Sequence, residues 1–149
     1  MKKLLLTGAV ASVAIAAAVA ALSTGSGNAT EVMLYKNPQC GCCEGYADYL
    51  RDNGFEVTVK ATHDLSMMSR EAGIPGEFEG CHLSYVDDYV VSGHVPVETL
   101  KRLLAERPEI KGITLPGMPQ GSPGMSGTKS GPFVTYEVGP GRPKVYDRE

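Results

Sequence analysis

Residues 31–59 read EVMLYKNPQCGCCEGYADYLRDNGFEVTV, and the hydrophobic periodicity changes twice along them. The short apolar run Glu31–Tyr35 predicts a strand, and the alternating, β-branched segment Phe55–Val59 predicts a second. Between them, Gly41–Asp52 predicts a helix, because its apolar residues recur at i, i+3 and i+4. A strand–helix–strand unit of this kind predicts a parallel strand pair with a right-handed crossover, and hence an α/β fold.

The rest of the chain extends this unit to the order β-α-β-α-β-β-α, followed by a C-terminal hairpin. The segment 116–132 is rich in Gly, Pro and Ser and is predicted to be irregular. The whole pattern predicts a central mixed sheet flanked by helices, with an irregular Gly/Pro/Met-rich loop. The predicted elements after residue 60 are helices at Leu65–Ala72 and Pro96–Arg107, strands at Leu83–Val86 and Tyr89–Val91, and hairpin strands at Phe133–Val138 and Pro143–Tyr146.

The first 29 residues have the pattern of a secretory signal peptide. Two lysines precede an apolar run at residues 4–22, and an A-x-A cleavage pattern ends at Ala20. A later cut after Ala29 is also possible, so the pattern leaves two cleavage sites open. With the later cut, residues 1–29 are removed and residues 30–149 form one domain, which we expect to lie in a bacterial periplasm. A retained membrane anchor is the alternative, and the alanine-rich composition of the run disfavours it.

The charge of the expected mature chain limits its partners. Without Lys2 and Lys3, 12 of the 14 Lys and Arg remain against 17 Asp and Glu, a net charge of −5. A nucleic-acid-binding protein needs a basic face to meet phosphates, so the sequence excludes that class. After cleavage we also expect no stable membrane anchor.

The four cysteines occur in a three-plus-one pattern. Cys40, Cys42 and Cys43 fall within four residues, and Cys81 follows 38 residues later. An even number of cysteines in an oxidising compartment is typical of structural disulfides. Every complete pairing of these four includes a bridge within the cluster, and so short a loop removes little entropy from the unfolded chain. The spacing therefore favours a reactive or metal-binding group at the start of the first helix, where the helix dipole stabilises thiolates.

Other soft ligands follow in the sequence. His82 is adjacent to Cys81, and His94 lies two residues before the predicted helix that starts with Pro96. Met118 and Met125 each end a Pro-Gly-Met triplet on the irregular segment, which leaves their thioethers accessible. Thiolates and thioethers prefer Cu(I), and imidazole suits copper and zinc.

Zinc is the main alternative metal. Cys40 and Cys43 together with Cys81 and His82 would give a structural site of three Cys and one His. One clustered thiol, Cys42, would then be left over. Three thiolates in one turn can instead bridge several Cu(I) ions, which favours a polynuclear Cu(I) site.

Several motifs resemble those of the CopG copper-resistance family, small exported metal-binding proteins long catalogued as a domain of unknown function. The resemblance implies a thioredoxin-like domain in the periplasm that is associated with copper handling. It also implies that the family's cysteine motif, its Cys-His pair, its Gly-His-Val-Pro and its Pro-Gly-Met correspond to the ligand candidates named above. The matching motifs are Tyr35–Cys43, Gly80–His82, Gly93–Pro96, Leu103–Pro108 and Pro116–Met125.

We therefore predict a periplasmic copper-binding protein of copper resistance. Cys40, Cys42, Cys43 and Cys81 would bind Cu(I), with His94 and Met118 completing the site and His82 and Met125 as further candidates. The thiols would cycle between a metal-bound and a disulfide form, with Cys40 and Cys43 as the redox pair. The expected partners are copper ions and other periplasmic copper-handling or redox proteins.

Two other functions remain open. One is a thiol–disulfide oxidoreductase acting on proteins, and the other is a structural zinc or disulfide module for interactions. Whether the copper protein is an oxidoreductase, a store or a carrier does not follow from the sequence.

Overall fold

The computed structural model describes residues 29–149, so the predicted signal segment lies, apart from Ala29, outside the described residues. Each predicted element is present within about two residues of its predicted bounds. The strands are β1 Thr30–Lys36, β2 Phe55–Ala61, β3 His82–Val86, β4 Tyr89–Ser92, β5 Gly112–Thr114, β6 Val134–Val138 and β7 Val145–Arg148, and the helices are α1 Gly41–Asp52, α2 Leu65–Glu71 and α3 Val97–Glu106.

Two elements escaped sequence prediction, namely β5 and a 3₁₀ turn at Gly76–Phe78. Three residues are too few to show an alternating pattern, and β5 exists because it pairs with strands on both sides. Its first residue must be glycine, since a Cβ on Gly112 would overlap the carbonyl oxygen of Val90 on the neighbouring strand.

All seven strands form one mixed sheet with the order β2-β1-β3-β4-β5-β6-β7. The pairs β1–β2 and β4–β5 are parallel, and the other neighbouring strands are antiparallel. The parallel pairing of β1 with β2 confirms the prediction for the opening strand–helix–strand unit. The C-terminal hairpin β6–β7 extends the sheet at one edge. This arrangement confirms the predicted α/β fold with a mixed sheet, and its first four strands are compatible with a thioredoxin-like unit.

Helices cover both faces of the sheet. On one face, Val32 and Leu34 of β1 pack in the main core with the apolar sides of α1 and α3. On the other face, Leu83 and Val90 form a smaller core, against which residues of α2 and the 3₁₀ turn pack. The sheet is therefore buried between two layers, and α1 is held with its N-terminus at one end of β1.

The segment between β5 and β6 has no helix or strand, as predicted, and it lies against α1. The backbone of Gly124 approaches the backbone of α1 so closely that a Cβ there would overlap the nitrogen of Tyr46. Ser122 is buried, and its hydroxyl donates a 2.7 Å hydrogen bond to the Pro119 carbonyl. We call residues 116–126 the docked loop.

Among residues 29–149, none of the helices has the length and hydropathy needed to cross a bilayer.

Candidate metal centre

Strand pairing brings the distal cysteine to the cysteine cluster. The clustered cysteines belong to α1, with Cys40 as its N-cap and Cys42 and Cys43 in its first turn. Strand β3 runs antiparallel to β1, and its first residue, His82, is paired with Lys36, the last residue of β1. The residue before β3, Cys81, therefore lies beside the start of α1.

The four sulfur atoms form one compact group. Cys40 and Cys43 are joined by a disulfide bond, whereas Cys42 and Cys81 are free thiols. The Sγ of Cys42 lies 3.5 Å from that of Cys40. The Sγ of Cys81 lies 3.5 Å from that of Cys43 and 4.0 Å from that of Cys42. All four lie within 4.8 Å of one another, so the tertiary structure brings together the four sulfurs that the sequence predicted as ligands.

His94 directs a ring nitrogen at this group. Its Nε2 lies 2.9 Å from the Sγ of Cys81, and its Nδ1 donates a hydrogen bond to the carbonyl of Pro123 in the docked loop. A carbonyl can only accept, so the proton resides on Nδ1 and Nε2 carries the free lone pair. Metal-binding histidines are oriented by a backbone carbonyl in the same way.

His82 lies deeper than His94. Its Nδ1 is 3.7 Å from the Sγ of Cys81, and its Nε2 is buried without a hydrogen-bond partner. The ring of Tyr46 lies 4.6 Å from the His82 ring and 5.2 Å from the His94 ring, measured between centroids. Cys43, Cys81, His82 and His94 thus form a second group whose ligand atoms lie within 4.8 Å.

Burial sets the protonation of these residues. It raises the pKa of Cys81 to about 12, with a further contribution from the neighbouring Cys42 thiol. It lowers the pKa of His82 to about 3, with a further contribution from His94. Burial also lowers the pKa of His94, against the opposing effect of the Pro123 carbonyl. At neutral pH both imidazoles are therefore neutral, and each has a lone pair available for a metal.

Acid should destabilise the metal-free protein through His82. In the unfolded chain His82 takes up a proton near pH 6.5, whereas in the folded protein it does so only near pH 3. The unfolded state therefore binds more protons between these values, and the folded protein loses stability as the pH falls below 6.5. We expect the free energy of unfolding to fall by about 1.4 kcal/mol between pH 7.5 and 5.5 from this group alone. Denaturant unfolding at the two pH values, in the presence of a chelator, measures this difference in the free energy of unfolding. Replacing the exposed His63 by Ala should leave the slope unchanged, and equal stability of the wild-type protein at the two pH values would contradict the prediction.

The two candidate methionines lie in the docked loop. Met118 has a backbone φ of 43°, and the residue is 43% exposed. Met125 is half-buried, and its N–H donates to the carbonyl of Ser122. Their assignment as ligands stays a prediction.

Three contributors to the site escaped sequence prediction. The sequence pattern places Tyr46 only on the apolar face of the first helix and gives Lys36 no role, and the Pro123 carbonyl carries no side-chain signal. The sequence has one indication for Lys36, which is a charge directly after the apolar run Glu31–Tyr35 and four residues before Cys40.

Known proteins resemble this chain in sequence and in structure. A family model described as "Protein of unknown function, DUF411" matches residues 78–125, which include Cys81 and His94. No curated protein matches the chain. Two solved structures do, described as "Copper resistance protein copG- Form 2" and "Copper resistance protein copG- Form 1", each at 31% identity over 80% of this chain. The matches span 98% and 97% of the lengths of these two structures, with TM-scores of 0.74 and 0.73.

The chain belongs to the CopG copper-resistance family. Because the two CopG structures are matched over almost their whole lengths, the similarity extends over the whole of their fold. The resemblance inferred from the sequence motifs is thereby confirmed.

Proposed function

We propose that this CopG-family protein binds Cu(I) in the periplasm as part of copper resistance. Cys40, Cys42, Cys43 and Cys81 are the proposed thiolate ligands, with His94 and Met118 completing the site. The observation that carries the proposal is the convergence of four sulfurs in one group, with the Nε2 of His94 2.9 Å from the Cys81 sulfur. Support also comes from the two similar structures, which are described as copper resistance proteins.

The chemistry of the donors favours Cu(I). Soft thiolates select Cu(I), and imidazole is a suitable additional ligand. Four sulfurs and two imidazoles exceed what one tetrahedral ion requires, so the donor set suits more than one ion. The buried imidazoles are neutral, and the unpartnered His82 is a further ligand candidate.

The disulfide suggests a redox role for the same cysteines. Cys40 and Cys43 are bonded to each other in the C-x-x-C arrangement, and this bond must be reduced before both thiolates can bind metal. The two electrons that open it would come from a dithiol of a periplasmic redox partner, which is oxidised to its own disulfide, and the two thiolates released on this protein then bind Cu(I). In the opposite direction, two Cu(II) ions take two electrons from the two thiolates, which gives two Cu(I) ions and re-forms the Cys40–Cys43 bond. We therefore propose that copper redox and the opening and closing of the Cys40–Cys43 bond are coupled, with other periplasmic copper or redox proteins as partners.

Two alternatives each have one observation in their favour. A thiol–disulfide oxidoreductase is favoured by the position of the Cys40–Cys43 bond at the N-terminus of α1, where thiolates are stabilised. A structural zinc site is favoured by the inner group of two cysteines and two histidines, Cys43, Cys81, His82 and His94.

Metal titration after anaerobic reduction separates these functions. We expect the reduced protein to hold more than two Cu(I) per monomer against a competing Cu(I) chelator, and Cys42→Ser to lose that excess, because Cys42 belongs to the sulfur group only. His63→Ala, at an exposed histidine outside the site, is the control. Failure to retain copper together with turnover of a protein disulfide would support the oxidoreductase instead. One tightly held zinc ion with no thiol reactivity would support the structural site.

A further inference from the structure

Lys36 is the only Lys, Arg, Asp or Glu buried among residues 29–149. It is the last residue of β1, and its side chain is 7% exposed. Burying an ammonium group is costly unless it is paired and hydrogen-bonded. A buried lysine outside the apolar core therefore indicates a specific set of partners.

All the partners of Lys36 belong to the segment that carries the cysteine cluster. Its Nζ lies 3.2 Å from the carbonyl oxygen of Cys40, and 3.4 and 3.5 Å from those of Asn37 and Pro38. The fourth partner is the carboxylate of Glu44 in α1, at 3.1 Å. The ammonium thus lies inside the turn that leads into α1. Its ion pair with Glu44 connects this turn to the first turn of the helix.

The same turn is closed by hydrogen bonds of its own. The N–H of Cys40 donates to the Asn37 carbonyl, and the N–H of Gln39 donates to the Asn37 side chain. Cys40 as the N-cap makes no side-chain hydrogen bond to the helix, and its sulfur is bonded to Cys43 instead. The position of that sulfur therefore depends on the turn that Lys36 holds.

We propose that Lys36 is a positioning residue of the cysteine cluster, which fixes the turn before Cys40 and places a buried positive charge 3.2 Å from the backbone carbonyl of Cys40. Up to four thiolates in one group repel each other, and a nearby cation lowers that repulsion. The uncapped N-terminus of α1 acts in the same sense but carries only about half a charge. The copper part of this inference rests on the proposed function, whereas the thiol–disulfide part does not.

The first test uses Lys36→Met, which keeps an unbranched side chain one atom shorter and removes its charge. With glutathione as the redox probe, the equilibrium of the Cys40–Cys43 bond should shift about tenfold toward the disulfide, or about 30 mV. The affinity for Cu(I) should fall about 10- to 100-fold, the usual effect of losing an outer partner of a metal ligand. Lys36→Arg should restore both values to within about threefold of wild type. Lys60→Met, at an exposed lysine on β2, is the control for net charge.

The variant Glu44→Gln distinguishes an electrostatic effect of Lys36 on the cysteines from its support of the turn before Cys40. Glu44 is 54% exposed, so this variant should fold even if Lys36→Met does not. If Lys36 acts through its charge, loss of the opposing carboxylate shifts the glutathione equilibrium toward the dithiol, opposite to Lys36→Met. A shift in the same direction as Lys36→Met, or no change in folded Lys36→Met, overturns the proposal. If the wild-type protein binds no Cu(I), the proposed function fails, while the glutathione measurement still decides the role of Lys36.

Discussion

Replacing Cys81 by Ser is expected to lower the affinity of the reduced protein for Cu(I) by at least about 100-fold, beyond the roughly 10- to 100-fold typical of outer partners of metal ligands. Cys81 and Cys43 are the two residues that belong to both the four-sulfur group and the inner Cys/His group. The Sγ of Cys81 contacts Cys43 and the Nε2 of His94. A serine oxygen fits the same space but is a hard ligand that Cu(I) does not favour.

The measurement is competition with a Cu(I) chelator under anaerobic, reducing conditions. Cys81 is half-buried and the substitution is nearly isosteric, so the metal-free variant should unfold at almost the same denaturant concentration as wild type. His63→Ala should bind copper as wild type does. Unchanged affinity of a folded Cys81→Ser variant would show that the distal cysteine is not a ligand.

The second large effect is expected from Gly124→Ala in the docked loop. Gly124 has a φ of 78°, and a Cβ there would overlap the Tyr46 nitrogen and lie 2.8 Å from the Gly45 carbonyl carbon. Helix backbone cannot move aside as a flexible side chain can, so the loop must move instead. The neighbouring Pro123 carbonyl then loses its hydrogen bond from His94, and the imidazole is no longer held with Nε2 toward Cys81.

Gly117→Ala provides a matched control, because Gly117 has the same φ of 78° but a Cβ added there would meet nothing within 4 Å. We expect Gly117→Ala to cost about 1 kcal/mol of stability from backbone strain alone. Gly124→Ala should cost about 2–3 kcal/mol and weaken Cu(I) binding about tenfold. Denaturant unfolding and chelator competition measure the two effects. Equal results for the two variants would mean that the loop does not dock on α1.

The fold was predictable wherever an element shows its own periodicity. Helix α1 begins and ends at the predicted residues, because its apolar face and its Asn53-Gly54 ending are both local signals. Strand β5 was missed, since its three residues are ordered by pairing with β4 and β6 rather than by local preference.

The candidate site was predictable as a list of residues but not as an arrangement. The C-x-C-C spacing and the isolated Cys81 indicated a metal-binding group, and the structure places all four sulfurs together. The sequence did not indicate that His94 is oriented by a backbone carbonyl 29 residues away. It also gave no reason to connect Lys36 with the turn before Cys40.

The sequence by itself determined the α/β class, the bounds of most helices and strands, and the candidate donor atoms, because these depend on residue types and local spacing. Only the tertiary structure decided which donors meet. Antiparallel pairing of β3 with β1 carries Cys81 to the start of α1, and the docked loop carries Pro123 to His94. These contacts join residues far apart in the chain, and they form because packing of the sheet and helices, rather than any local preference, fixes where each backbone segment lies.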